Sequence, residues 1–163
     1  MAKAAVSLAP SLLDRLMDAN PDVLQDPPRS RSQQLTDLRD AVRRDLEALL
    51  NAHKRCISPP AGLDELQESL VEYGAPDFLA TFAGSGEVRE DFRRSVEDTI
   101  RRYEPRFQTV SVKLIEDEAL IDRTLRFRID ALIYAEPAPE NVTYNSQLDP
   151  SSYSFQVTGG ADG

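Results

Sequence analysis

Apolar residues recur at three- and four-residue steps along the N-terminal part of the chain and at two-residue steps after it. The change falls on Tyr103-Glu104-Pro105-Arg106-Phe107. Pro105 accounts for it. Proline has no N–H to donate, its ring clashes with the preceding turn, and it pushes the residue before it out of the α region. A helix is therefore expected to end near Tyr103 and a strand to begin just past Phe107. Glu104 and Arg106 flank the proline, placing an acid and a base at the junction. As an exposed local ion pair they contribute only ~0–1 kcal/mol. The alternative is a docking feature, with Arg106 held by Glu104 and aimed at a partner.

Ahead of the junction the pattern predicts an amphipathic segment over 7–19, with Leu8, Leu12 and Leu16 on one stripe and Leu13 and Met17 beside it. A helix this short is marginal alone and must pack on something. A stiff, proline-marked linker follows, with Pro21, Pro27 and Pro28. Two destinations are open, a groove on another protein or the chain's own domain. The next helix spans 32–52, with Leu35, Leu38, Val42, Leu46 and Leu49 as its stripe and a Ser30/Gln33 capping box. A second covers 63–73, with Leu63, Leu66, Leu70 and Tyr73 on one face and Gly74 as its left-handed stop. A third covers 87–103, with Val88, Phe92, Val96, Ile100 and Tyr103 inward. Beyond the junction, strands are expected at 109–115, 124–134, 142–148 and 153–157, then a loose tail over 158–163. Short loops between alternating runs imply antiparallel pairing. The fold class is α+β: three main helices packed on a small antiparallel sheet, with an N-terminal docking helix. The organisation is an arm (1–31), a domain (32–157) and the tail (158–163).

Composition narrows the chemistry. A net charge of −9, with arginines scattered among acids, argues against nucleic acid or an anionic membrane as the main partner. No stretch reaches the ~20 apolar residues of a membrane span, and a single cysteine, Cys56, forms no intrachain disulfide. A cytoplasmic location is expected. His53 and Cys56 have ligand-like spacing, but zinc needs three or four protein ligands and no other His or Cys exists. Gly84-Ser85-Gly86 lacks the remainder of any phosphate-binding motif. Neither a metal nor a cofactor is expected. Glu104 and the 116–118 acidic loop could supply a glycosidase-type carboxylate pair, but a general acid needs a raised pKa, and Arg106 beside Glu104 works against that. No catalytic residue is assigned.

Several runs carry a resemblance: Ser11-Leu12-Leu13-Asp14-Arg15-Leu16, Val42-Arg43-Arg44-Asp45-Leu46-Glu47-Ala48-Leu49-Leu50-Asn51, Ser69-Leu70-Val71-Glu72-Tyr73-Gly74-Ala75-Pro76-Asp77-Phe78, Ile100-Arg101-Arg102-Tyr103-Glu104-Pro105-Arg106 and Leu125-Arg126-Phe127-Arg128-Ile129-Asp130-Ala131-Leu132. In this order the chain resembles the TssE family of type VI secretion baseplate wedge subunits and their phage-tail counterparts in the GPW/gp25 superfamily. The resemblance implies a non-enzymatic structural part that links the wedge to the contractile sheath and starts sheath polymerisation by strand addition. It implies wedge partners (TssF, TssG, TssK) and sheath partners (TssB/TssC), with no direct membrane insertion. It assigns sheath or partner binding to Glu104, Pro105 and Arg106, and wedge docking to Leu12, Leu13, Leu16 and Met17. The alternatives are a peptidoglycan-cleaving, lysozyme-like enzyme and a wedge adaptor without sheath contact.

Overall fold

The computed structural model describes residues 11–16, 22, 29–54, 62–67, 69–77, 86–115, 124–135 and 138–159. In chain order the elements are α1 (Leu12–Leu16), α2 (Arg31–Asn51), α3 (Asp64–Gln67), a 3-10 turn (Leu70–Glu72), α4 (Gly86–Tyr103), β1 (Phe107–Ile115), β2 (Leu125–Ile133), β3 (Glu140–Asp149) and β4 (Ser154–Gly159). The strands form one antiparallel meander in the order β1-β2-β3-β4. Helix α2 packs towards β4 and α4 towards β1. The class is α+β, as the pattern predicts.

Helix α2 begins where Ser30 accepts from the Gln33 N–H and the Gln33 side chain accepts from the Ser30 N–H. Two orphan donors are satisfied reciprocally, as the capping box requires. Its buried face is Leu38, Ala41, Val42, Leu46, Leu49 and Leu50, while Leu35 is only half-buried. On α4 the buried residues are Phe92, Val96 and Ile100; Val88, expected inward, is exposed. The β2 alternation holds throughout: Leu125, Phe127, Ile129, Ala131 and Ile133 are buried. Phe127 links the layers, its ring centroid 6.0 Å from Phe92 and 6.3 Å from Phe155. Burying each such side chain contributes ~1.5–3 kcal/mol, so this shared apolar face holds the helices on the sheet.

Three expectations are corrected. The helix over 63–73 is not continuous: it divides into α3 and the 3-10 turn, so among the described residues two long helices, not three, cover the sheet. Ser69 sits at the break, its hydroxyl donating to the Leu66 carbonyl (2.7 Å) and accepting from the Val71 N–H (3.2 Å). A serine that bonds nearby backbone in this way competes with the helical ladder. Leu63 and Leu70, expected on a buried face, are exposed. Gly74 ends no long helix either; it lies where 74–75 passes close against 52–54, with φ +122°. Thirdly, β4 runs through Gly159, so Thr158 and Gly159 belong to the sheet and not to the tail. The linker prolines Pro27 and Pro28, Cys56, the 116–118 loop and 160–163 lie outside the described residues.

A sheet of four strands has two edges, and helix side chains reach both. On β4, Asn51 donates to the Phe155 carbonyl (2.9 Å) and accepts from the Phe155 N–H (2.8 Å). Beside it, Arg43 donates to the Val157 carbonyl (3.1 Å) and Glu47 accepts from the Val157 N–H (3.4 Å). On β1, Glu97 accepts from the Val112 N–H (3.0 Å) and Arg93 donates to the Val112 carbonyl (2.9 Å). Unpaired edges template the addition of other strands, and covering them prevents it. Asn51→Ala is expected to cost ~1–2 kcal/mol, since it removes two such bonds. It should also make the protein associate as its concentration rises. Urea melts and light scattering against concentration check the two halves of that expectation.

Candidate functional site: the buried charged corner

Helix α4 ends at the proline corner as its sequence requires. The Glu104 N–H makes the last helical bond, to the Ile100 carbonyl (2.9 Å). Pro105 and Arg106 form the turn, and the Phe107 N–H returns to the Glu104 carbonyl (3.3 Å). The Arg106 carbonyl accepts from the Tyr134 N–H (2.9 Å), joining the corner to the end of β2.

The Glu104 side chain does not face solvent. The residue is 4% exposed, and its carboxylate grips Arg106 twice, Oε1 to Nε at 2.6 Å and Oε2 to Nη2 at 2.5 Å. Oε1 also accepts from the Arg106 backbone N–H (3.2 Å). The same Nη2 reaches across to Asp45 of α2 (2.6 Å). A guanidinium presents fixed, fork-like donors, so one arginine can hold two carboxylates in defined positions. Burial works against the charge on Arg106, but hydrogen bonds and charge from Glu104 and Asp45 outweigh it and hold its pKa above the ordinary value. Arg106 thus stays cationic and ties α2 to the point where α4 becomes β1.

Tyrosines surround this clamp. Tyr73 and Tyr103 meet edge to face with centroids 5.1 Å apart, and the Tyr103 hydroxyl donates to the Ser69 carbonyl (3.2 Å). Burial, then the charges of Asp45 and Glu104, raise the Tyr73 pKa. The Tyr144 hydroxyl donates to the Arg39 carbonyl (3.1 Å), and burial raises its pKa despite the nearby Arg106 and Arg39 charges. Tyr73 and Tyr144 are therefore neutral wall residues and not proton carriers near neutral pH.

The structure brings Glu104, Pro105 and Arg106 together as the sequence predicts, but it turns the acid and base inward. Asp45 has no signal in the sequence for this role. Sixty-one positions separate it from Arg106, and no local spacing signals such a pair. Glu72, a buried carboxylate ion-paired with Lys54, carries no local signal either.

The N-terminal residues lie elsewhere. Asp14 of α1 pairs with Arg44 of α2 (2.5 Å), so the arm touches its own domain, while Leu13 and Leu16 remain exposed. The Leu12 side chain and Met17 lie outside the described residues, as does Cys56, the supposed companion of His53. His53 instead bridges to Ala75 through its backbone. Among the described residues no helix is long and apolar enough to cross a membrane.

Glu97 is the ionic hub of α4, bonded to Arg93, Arg101 and the Val112 N–H. Burial favours its neutral form, but the Val112 N–H and the two arginines outweigh this and hold the carboxyl below 4.5. A depressed folded-state pKa stabilises above the unfolded value and loses that contribution as pH falls through the folded one. The stability difference between the protein and Glu97→Gln should therefore be full at neutral pH and shrink below pH 4.5. Urea midpoints of both proteins across that range check it.

A pair of helices packs on an antiparallel meander, with its charged corner committed to internal bonds. The family model for baseplate wedge protein gp25 matches residues 36–138. The chain belongs to that family. No curated protein matches it. Among solved structures it is similar to a chain of "The baseplate complex from the type VI secretion system", at 16% identity and TM-score 0.46 over 66% of this chain and 90% of that one.

Proposed function

We propose that this protein is a non-enzymatic baseplate component of a contractile machine of the type VI secretion kind. It links wedge subunits to the sheath and starts sheath polymerisation by accepting strands at its sheet. The observation that carries the reading is the family match, which spans most of α2, the Glu104-Pro105-Arg106 corner and the first two strands. Strand addition is the physical means, because an extended segment gains main-chain hydrogen bonds at a sheet edge. In this reading Glu104, Pro105 and Arg106 act by holding the platform from which β1 springs. Leu12, Leu13, Leu16 and Met17 of the arm dock on wedge proteins of the TssF, TssG and TssK types, and the sheet receives TssB/TssC-type sheath strands. The protein works on the cytoplasmic side. Glu104 is a poor general acid, since both of its oxygens already accept from Arg106.

The test is capture from native cytoplasm, using the full-length tagged chain and a version lacking 1–31. The reading requires wedge and sheath proteins on the full-length chain and loss of the wedge proteins alone on truncation. Sheaths of normal number and length in Arg106→Ala cells would favour a wedge adaptor without sheath contact. Release of fragments from purified cell wall, abolished by Glu104→Gln, would replace the structural reading with an enzymatic one.

A further inference from the structure

The Asp14 carboxylate has two tasks. Ser11 stands at the start of α1, where its hydroxyl accepts from the Asp14 N–H (3.2 Å) as an N-cap does. The same hydroxyl donates to Asp14 Oδ2 (2.8 Å). The other oxygen, Oδ1, accepts from Arg44 Nη2 of α2 (2.5 Å). One side chain therefore closes the first turn of α1 and fastens that turn to the domain. The Asp14 side chain is 19% exposed, against 51% for Arg44. The neighbouring Arg43 is committed to Glu47 and the Val157 carbonyl, which leaves Arg44 for the arm.

Chain length alone does not hold α1 at this place. Arg44 lies ~20 Å along α2 from Arg31, at ~1.5 Å rise per residue. The connecting residues 17–28 could reach ~40 Å if extended, so the tether leaves slack. Nor does α1 persist through its own helical bonds, since five residues are too few for a stable helix in water. Among the described residues the Asp14–Arg44 pair is the ion pair that joins α1 to the domain. Leu13 and Leu16, three apart and so on one helix face, are left 65% and 74% exposed.

From these observations we infer that Asp14 and Arg44 are positioning residues for the arm: the pair holds α1 against α2, so that an apolar groove on a wedge-type partner meets Leu13 and Leu16 already in helical order. This rests on the wedge-docking reading above. A segment ordered before binding loses less freedom on binding, and affinity rises accordingly. The exposed leucines decide between presentation and concealment, because a contact that withheld the arm would cover them. An ion pair of this exposure shifts such an equilibrium about two- to fivefold. It tunes docking and does not replace the apolar contact.

The first measurement is made on the full chain alone. In a Cys56→Ser background, spin labels at Leu13→Cys and Ala48→Cys, both exposed positions, report the distance from α1 to α2. One narrow distribution is expected. Arg44→Glu should broaden it, Arg44→Lys should leave it narrow, and exchanging the charges with Asp14→Lys and Arg44→Glu together should narrow it again. Molar salt, which shortens the screening length to ~3 Å, should broaden the distribution of the unsubstituted pair. A distribution that is narrow in Arg44→Glu, or broad with Arg44 in place, would overturn the inference.

The second measurement is affinity for the wedge proteins of the capture experiment, with both leucines intact. Arg44→Glu should weaken binding about three- to fivefold, and the exchanged pair should restore it. A purely structural role for Arg44 would show no such rescue. Tighter binding by Arg44→Glu would mean that the pair withholds the arm, and unchanged binding that it plays no part in docking; either result would overturn the inference. Equal capture of wedge proteins by the chain lacking 1–31 would overturn the docking reading itself, and the distances would then show whether the pin exists without that use.

Discussion

Replacing Arg106 with methionine is expected to lower the thermal midpoint by on the order of 10 °C. The reason is what it leaves behind. Glu104 is 4% exposed, and Arg106 takes both of its oxygens. Removing one partner of a buried pair strands an uncompensated charge and costs about 3–5 kcal/mol. In a chain of this length each kcal/mol moves the midpoint by about 2–4 °C. Asp45 is half-exposed and adds little to the loss, since water can solvate it. Adding Glu104→Gln to Arg106→Met removes the stranded charge and should recover a large part of the deficit, so the two substitutions are strongly non-additive. Arg106→Lys keeps a charge but loses the fork and should fall between. Calorimetry of the four proteins decides between two accounts of the corner. If Arg106 served only to touch a partner, the isolated protein would melt at the same temperature with or without it.

Gly74→Val should be comparably damaging, at about 2–4 kcal/mol, for a reason unrelated to charge. Gly74 holds φ at +122°, which L side chains rarely adopt, and a Cβ built there would meet the Ala52 carbonyl oxygen at 2.3 Å and its carbon at 2.7 Å. Backbone strain of this kind costs ~1–3 kcal/mol and forced overpacking adds a similar amount. Both obstructing atoms are main chain and cannot rotate away. The contact they guard is specific: the Ala75 N–H donates to the Ala52 carbonyl (2.7 Å) and the Lys54 N–H donates to the Ala75 carbonyl (3.0 Å). Pushing 74–75 off this track also pulls Glu72 from Lys54 and Tyr73 from Tyr103. A urea melt measures the stability loss. A midpoint within experimental scatter of the unsubstituted protein would show that the close approach is dispensable.

These two positions mark where local reading stopped. Gly74 was legible as a residue with special backbone freedom, since glycine before an X-Pro pair punctuates a chain. Its purpose was not, because the obstruction comes from Ala52, on a segment that nothing in the local pattern brings near. The helix over 63–73 failed for a related reason. Its leucines have helical spacing, but Ser69 offers the backbone another bond and no neighbouring layer buries Leu63 or Leu70. Periodicity reports a face only when something packs on it.

What the sequence determined by itself were the features whose causes are local. The Ser30 cap, the apolar stripes of α2 and α4, the stop at Pro105 and the strict alternation of β2 each follow from steric or hydrophobic rules within a few residues. Short connections between alternating strands then leave an antiparallel sheet with helices on one face as the economical arrangement. Tertiary structure alone decided how polar groups were shared out. It turned Glu104 and Arg106 inward to meet Asp45 and committed Asn51, Arg43 and Glu47 to the β4 edge. On β1 it committed Arg93 and Glu97 to Val112. Those choices depend on which distant groups arrive within ~3 Å of one another, and a one-dimensional pattern carries residue type and spacing but not that distance.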